Sequence, residues 1–262
     1  MKHTLRLIFG GLLILANIHV VFASTFEGSI NFEVREDHHP YWDSEGDPAI
    51  FIFLKTSRIY GCCNFNIRSQ VAINSNDVVV KIVNIEEPSV CLTVLGPATA
   101  RHWLGIPPGQ YNLRFEHGAS ADSYSMVVTN SEITVHGNNG AFASPSTRMY
   151  QRYPQRSFVF LCGTTTETSG SCEEFYKTLL NAGSFKEYSF PQEANLPYPR
   201  KSDGYCYNMP AKYFTYEHEA DYTKAGELLR KFKLDVIKDK MGIGLELSNW
   251  RNKRYQSWII EK

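Results

Sequence analysis

Four groups of residues in this 262-residue chain are of types and spacings that can do chemistry. In Glu217-His218-Glu219, with Asp221 just beyond, an imidazole sits between two carboxylates. There His218 could serve as a general base, oriented by Glu217 or Glu219. The same acids also stand at the expected start of a helix, where negative charge is favourable against the dipole without any reaction. Glu36-Asp37-His38-His39 with Asp43, Glu45 and Asp47 concentrates metal-capable side chains in one stretch. Oxygens at alternate positions suit calcium, and His38 and His39 suit a transition ion. The full calcium-loop set is missing, however, and acidic loops are commonly just solvated. No resident metal or other cofactor is expected on this ground. A third group lies between Cys162 and Cys172, where Thr164, Thr165, Thr166, Ser169 and Ser171 crowd a loop that leads into a helix. Hydroxyls and free amides at a helix start can hold an anion. The loop lacks the Gly-Lys-Ser/Thr ending of a P-loop, and a plain polar strand-to-helix connection explains it as well.

The fourth group is the cysteines: Cys62, Cys63, Cys91, Cys162, Cys172 and Cys206. An even number in an exported chain points to disulfides, because an oxidising compartment preserves them. We expect Cys162–Cys172 as a local bridge and one of Cys62 or Cys63 joined to Cys91. Vicinal closure of Cys62 on Cys63 would strain the peptide between them. If the chain divides near residue 150, each half holds three cysteines, so complete pairing needs a bridge between the halves. The remaining vicinal thiol with Cys206 is the expected one. Zinc is disfavoured, since no Cys-x-x-Cys pair occurs.

Export itself is read from the first residues. Met1-Lys2-His3-Thr4-Leu5-Arg6 precedes an apolar run from Leu7 to Phe22, and Val21 and Ala23 suit a peptidase site. A positive start, a short apolar stretch and a small exit residue are the parts of a secretory signal, expected here as residues 1–23. The run falls short of the roughly 20 residues a membrane span needs, so no stable span is expected after cleavage. The mature product is expected to be secreted or periplasmic.

The elements that must position these groups follow two rhythms. From Phe26 to His136 apolar residues alternate, as in Val78-Val80-Ile82, Tyr111-Leu113-Phe115, Tyr124-Met126-Val128 and Ile133-Val135. That period of two predicts strands, and Ile50 to Leu54 and Phe65 to Ile73 add more. About seven short strands separated by turn residues fit an Ig-like antiparallel β-sandwich over 24–136. Pro107-Pro108-Gly109-Gln110-Tyr111-Asn112-Leu113 is similar to turns in Ig-like and prealbumin-like extracellular modules, a resemblance that implies architecture only. Turn residues such as Gly137-Asn138-Asn139-Gly140 and Tyr153-Pro154 mark residues 137–155 as a linker.

Residues 156–262 read β-α-β, an irregular link, then β-α-β. Ser157 to Leu161 is a continuous apolar strand. Ser171 and Glu174 form a capping-box pattern ahead of Phe175, Tyr176, Leu179 and Leu180. Strands are expected at Ser184–Phe190 and Lys212–Tyr216, a helix across Tyr222, Ala225, Leu229 and Phe232, and a closing β pair at Gly244–Leu247 and Tyr255–Ile260. This is the element order of an α+β ferredoxin-like domain.

Lys+Arg and Asp+Glu both number 27, so the formal net charge is zero. Such balance excludes a dedicated nucleic-acid binder, which carries a basic excess. Aromatic residues are plentiful, and Tyr41, Trp42, Trp103, Tyr205, Tyr207, Trp250 and Trp258 fall in turns or near strand ends, where they suit recognition, although filling cores and covering sheet faces is the commoner use of such residues. The expectation is an exported, non-catalytic two-domain protein binding a partner protein, peptide, glycan or small ligand. The alternative is an exported hydrolase or transferase working through the His218 group or a metal.

Overall fold

A computed structural model describes residues 28–38, 45–191 and 194–259. The expected export signal, His39 and Asp43 lie outside these. The described chain is mostly β, with a large curled mixed sheet and a second, smaller sheet.

The large sheet takes β1 (Ile30–Asp37), β2 (Ala49–Tyr60), β3 (Asn66–Asn74), β4 (Asp77–Glu86), β5 (Gly96–Trp103), β6 (Gly109–His117), β7 (Ser120–Val128), β8 (Glu132–His136), β9 (Ala143–Pro145) and β10 (Met149–Gln151). They are hydrogen-bonded as one series, β10-β8-β7-β6-β4-β3-β5-β2-β1-β9, where two facing sheets were expected. Strict alternation makes the strands: in β1 every second residue (Ile30, Phe32, Val34, Glu36) is buried, and β6 and β7 repeat this with Tyr111-Leu113-Phe115 and Tyr124-Met126-Val128. One face of the pleat is therefore apolar, and the sheet curls around it until β1 approaches β8 and β10.

Residues 137–155, expected as a linker, supply β9 and β10. β9 pairs parallel to β1, and β10 pairs antiparallel to β8. Both are three-residue edge strands, positions that tolerate Pro145. Asp122 secures the segment: its buried carboxylate accepts the backbone N–H groups of Ala141, Phe142 and Ala143 at 2.8–2.9 Å.

The small sheet is built from β11 (Ser157–Thr164), β12 (Phe185–Tyr188), β13 (Tyr207–Tyr216), β14 (Ile243–Asn249) and β15 (Arg254–Gln256), in the order β12-β13-β11-β14-β15, with every neighbour antiparallel. Helices α1 (Gly170–Asn181) and α2 (Glu219–Phe232) pack on one face. Phe158, Phe160 and Cys162 point to that face and meet Phe175, Leu179, Tyr222 and Leu229. Val159 and Leu161 point to the other face, where they meet Tyr198, with Tyr153 and Tyr213 partly buried beside them. Both faces of β11 are covered, which is why its sequence reads as a continuous apolar run. Helix α1 starts earlier than the capping box placed it: Ser169 is the N-cap, and Ser171 is a buried first-turn residue whose N–H goes to the Thr168 carbonyl.

Two disulfides form, Cys62–Cys91 and Cys162–Cys172. The expected bridge between the halves does not, for Cys63 and Cys206 are both exposed free thiols. The reason is distance. Cys63 follows the Tyr60 end of β2, while Cys206 adjoins Tyr205, which shares a cleft with Asp37, the residue paired with Ala49 at the other end of β2. At about 3.3 Å per residue the two ends of this strand are about 36 Å apart.

Candidate functional site

The halves are joined by contacts at the end of β1, and a cleft of about 680 Å³ opens beside them. The joint begins with an inward-facing acid. Because β1 alternates, Glu36 falls on the buried face, where an ionised carboxylate must be paired. Arg152 meets it: Nε and Nη2 reach Glu36 Oε1 at 2.8 and 2.7 Å, while the Tyr153 N–H donates to Oε2 at 2.8 Å. Arg152 also donates to the carbonyls of Thr129 and, through its backbone N–H, Ser131. The chain entering the second half is thereby held to β1 and to the turn after β7.

From this anchor the cleft wall is built outward. Asp37 forms ion pairs with Arg35 and Arg101 at 3.6 and 3.7 Å. The Arg101 guanidinium lies 3.9 Å from the Phe51 ring centre and donates to the His38 carbonyl. His38 Nε2 hydrogen-bonds across to the Trp250 carbonyl at 2.9 Å, so its ring bridges the two halves. Tyr153 packs against His38 on one side and edge-on against Tyr198 on the other. Its hydroxyl donates to the Pro197 carbonyl at 2.9 Å, and Tyr198 shares hydrogen bonds with Ser157. Burial, reinforced for Tyr153 by the charges of Asp37 and Glu36, pushes both phenols above their usual range, so they remain neutral donors at physiological pH.

The floor on the second-half side is the helix-free face of the small sheet. Gly163 of β11 and Gly244 of β14 are register partners, and the Tyr205 ring fills the space where their side chains would stand. Glu246, Arg254 and Trp258 complete the lining, with Lys201 and Asp203 at the mouth. Glu246 accepts from Gln256 at 3.1 Å and lies 3.9 Å from Arg254. Charges of both signs and several aromatic faces thus share one concave surface. Chemically this can hold a ligand with polar groups of either sign beside a flat or apolar face.

The sequence candidates are distributed differently. His218, Glu217 and Glu219 are all exposed, and none of them lines the cleft. Glu217 pairs with Lys186 at 3.2 Å, and Glu219 accepts from the Tyr216 hydroxyl at 3.2 Å, so neither carboxylate is directed at His218. Asp221 accepts the His218 backbone N–H at 2.8 Å, the role of a first-turn acid. Among the metal candidates, Asp47 is paired with Arg251 at 2.8 Å and His38 is committed to Trp250. Glu45 lines a second groove, of about 460 Å³, together with Glu219 and Arg251, so one residue of the acidic stretch and one of the His218 group share a surface. Among the described residues no three His, Cys, Asp or Glu side chains converge on a common point. In the loop after β11 the N–H groups of Thr165, Thr168, Ser169, Ser171 and Cys172 all donate to nearby carbonyls, and Thr165 and Thr168 hydrogen-bond to each other. Thr166 contributes its carbonyl to the Ser169 hydroxyl, so these donors are spent on local partners, whereas the hydroxyl of the wholly buried Thr164 has no hydrogen-bond partner among the described residues.

Of the aromatic residues singled out from sequence, Tyr205 and Trp258 line the cleft, while Tyr41 and Trp42 lie outside the described residues. Sequence reasoning missed Arg101, Tyr153 and Tyr198. Their one available signal was the apolar outer register of β11, Val159 and Leu161, which needs a cover that the two helices cannot supply. Comparison of the chain with protein-family models, curated proteins and solved structures finds no match in any of the three.

Proposed function

We propose that this is an exported two-domain binding protein whose ligand, a segment of a partner protein or a small ligand, sits in the cleft between the two sheets. One observation carries the reading. The cleft joins neutral phenols, both signs of charge and the exposed Trp258 on one concave surface, anchored by the buried Glu36–Arg152 pair. Its volume is in the range of ligand sites, and placement at a junction between domains is typical of them. Two disulfides, with no membrane-crossing helix among the described residues, are compatible with a secreted or periplasmic protein.

The fold assignments divide. For the second half, the antiparallel order β12-β13-β11-β14 with both helices on one face supports a ferredoxin-like reading. For the first half, a single continuous strand series gives the Ig-like reading no such support.

The binding reading is tested by probing defined glycan and peptide arrays with the intact protein and with Trp258→Ala and Tyr205→Ala. Trp258 is 53% exposed, so its removal should leave the fold intact. Binders whose affinity falls by about tenfold or more in both variants support the cleft. Binders unaffected by either variant place recognition elsewhere.

A further inference from the structure

At the opposite end of β2 from the cleft, the chain displays a loop of unusual polarity. Val90, Leu92, Val94 and Leu95 are 71%, 55%, 63% and 75% exposed, and Ile59 on the adjoining strand end is 56% exposed. Scattered exposed aliphatics are ordinary, but five in one place form a patch of the kind that marks an interaction site. The loop is also pinned. Cys62–Cys91 staples it, the Asn64 side chain donates to the Val90 carbonyl at 2.7 Å and accepts from the Leu92 N–H at 3.1 Å, and the Cys63 N–H reaches the Leu92 carbonyl at 3.3 Å. A preorganised apolar display loses little entropy on docking.

Cys63 stands within this patch as an exposed thiol, with its Cβ against Gly96, where any side chain would collide with it. A chain that closes two disulfides yet leaves an exposed thiol is suited to intermolecular pairing. We propose that the occupant of the patch is a second copy of this chain, docked about a two-fold axis with Cys63 joined to Cys63 of that copy. An isologous contact sets each apolar loop against its own kind, and the symmetry places like residues together near the axis. Charge does not oppose it, since Arg58 and the Arg68–Glu86 pair are balanced by Glu87. Cys206, the other free thiol, is set beside the polar Ser202-Asp203-Gly204 run instead. In the covalent step, two thiols and one donor disulfide, small or protein-borne, exchange to give the Cys63–Cys63 bond and two donor thiols.

The test uses the full chain carrying its two internal disulfides, exposed to a glutathione disulfide buffer. It is read by non-reducing intact mass, light scattering and peptide mapping. Wild type should give a dimer linked through Cys63, and Cys206→Ser should do the same. Cys63→Ser should lose the covalent dimer. Leu92→Glu with Leu95→Glu, checked for an unchanged thermal midpoint, should slow its formation by about tenfold or more, because the docked complex and not the thiol alone directs the exchange. Four results would overturn the proposal: a monomer whose Cys63 stays alkylatable, a dimer linked through Cys206, Cys63 held only as a mixed disulfide with glutathione, or covalent dimerisation at an unchanged rate in the Leu92/Leu95 variant.

Discussion

Tyr205 stands where Gly244 has no side chain. Its hydroxyl and ring edge fill the space that a Cβ on Gly244 would need, and the same ring covers Gly163 on the neighbouring strand. A Gly–Gly step in mid-sheet is intrinsically weak, and here it makes a seat for the aromatic ring that forms one wall of the cleft.

Gly244→Ala should therefore unseat Tyr205 and destabilise the protein by about 1–3 kcal/mol, the usual cost of overpacking. In a Tyr205→Ala background the same change should become neutral or mildly stabilising, since alanine is preferred to glycine in a strand interior. Urea denaturation of the four proteins gives the coupling. Additive effects would show that the ring is not held by the glycines.

The Glu36–Arg152 pair anchors the joint. Glu36→Gln leaves a largely buried guanidinium without its counter-charge and should cost about 3–5 kcal/mol. Replacing both with apolar residues, Glu36→Met with Arg152→Leu, should recover much of that loss while loosening the chain at Tyr153. The recovery is read from denaturation midpoints, and the loosening from hydrogen exchange at the Tyr153 amide.

Asp122 gives the fold an acid limit. Burial alone would raise its pKa, but the N–H groups of Phe142, Ala143 and Ala141 outweigh burial and hold it below the usual carboxyl value. Its contribution is thus complete above about pH 4, the unfolded value, and is lost as pH falls through the folded one. Asp122→Asn should cost about 1–3 kcal/mol at pH 7 and flatten the decline of thermal midpoint below pH 4. An unchanged acid limb would contradict this role.

How much of this was legible in the sequence follows from which forces are local. Alternation in β4, β6 and β7 and the helical spacing of Tyr222, Ala225, Leu229 and Phe232 report burial residue by residue, and those elements stand where the pattern put them. Cys162–Cys172 was legible because the two stand only ten positions apart and the loop between them turns back. The joining of all ten strands in one series was not, because partners such as β3 and β5 or β1 and β9 are set by long-range closure. The cleft was hidden for the same reason. His38, Arg101, Tyr153 and Tyr198 come from distant segments, and only the folded chain brings them together. The expected bridge from the remaining vicinal thiol to Cys206 failed because cysteine parity contains no distances.

His102 supplies a second pH dependence. It is half-buried beside Ser69, whose hydroxyl lies 2.7 Å from Nε2, and burial pushes its pKa below the usual value of about 6.5. The unfolded chain then binds this proton more readily than the folded one, so stability is complete above about pH 6.5 and declines as pH drops through the folded pKa. His102→Gln, which keeps a hydrogen-bonding group and cannot be charged, should reduce the fall in thermal midpoint between pH 7.5 and pH 5. A fall of unchanged size would assign it to other groups.

The central claim is that the cleft between the sheets is where this protein meets its ligand, and site-specific photocrosslinking measures that directly. A photoreactive phenylalanine analogue placed at Ser202, on the cleft lining, is compared with the same analogue at Lys177, on the exposed side of α1, in the protein within the cells that make it. We predict discrete crosslinked species, identified by mass, at Ser202 and none at Lys177, with those at Ser202 lost on Trp258→Ala. No crosslink at Ser202, or the same species at both positions, would contradict the account.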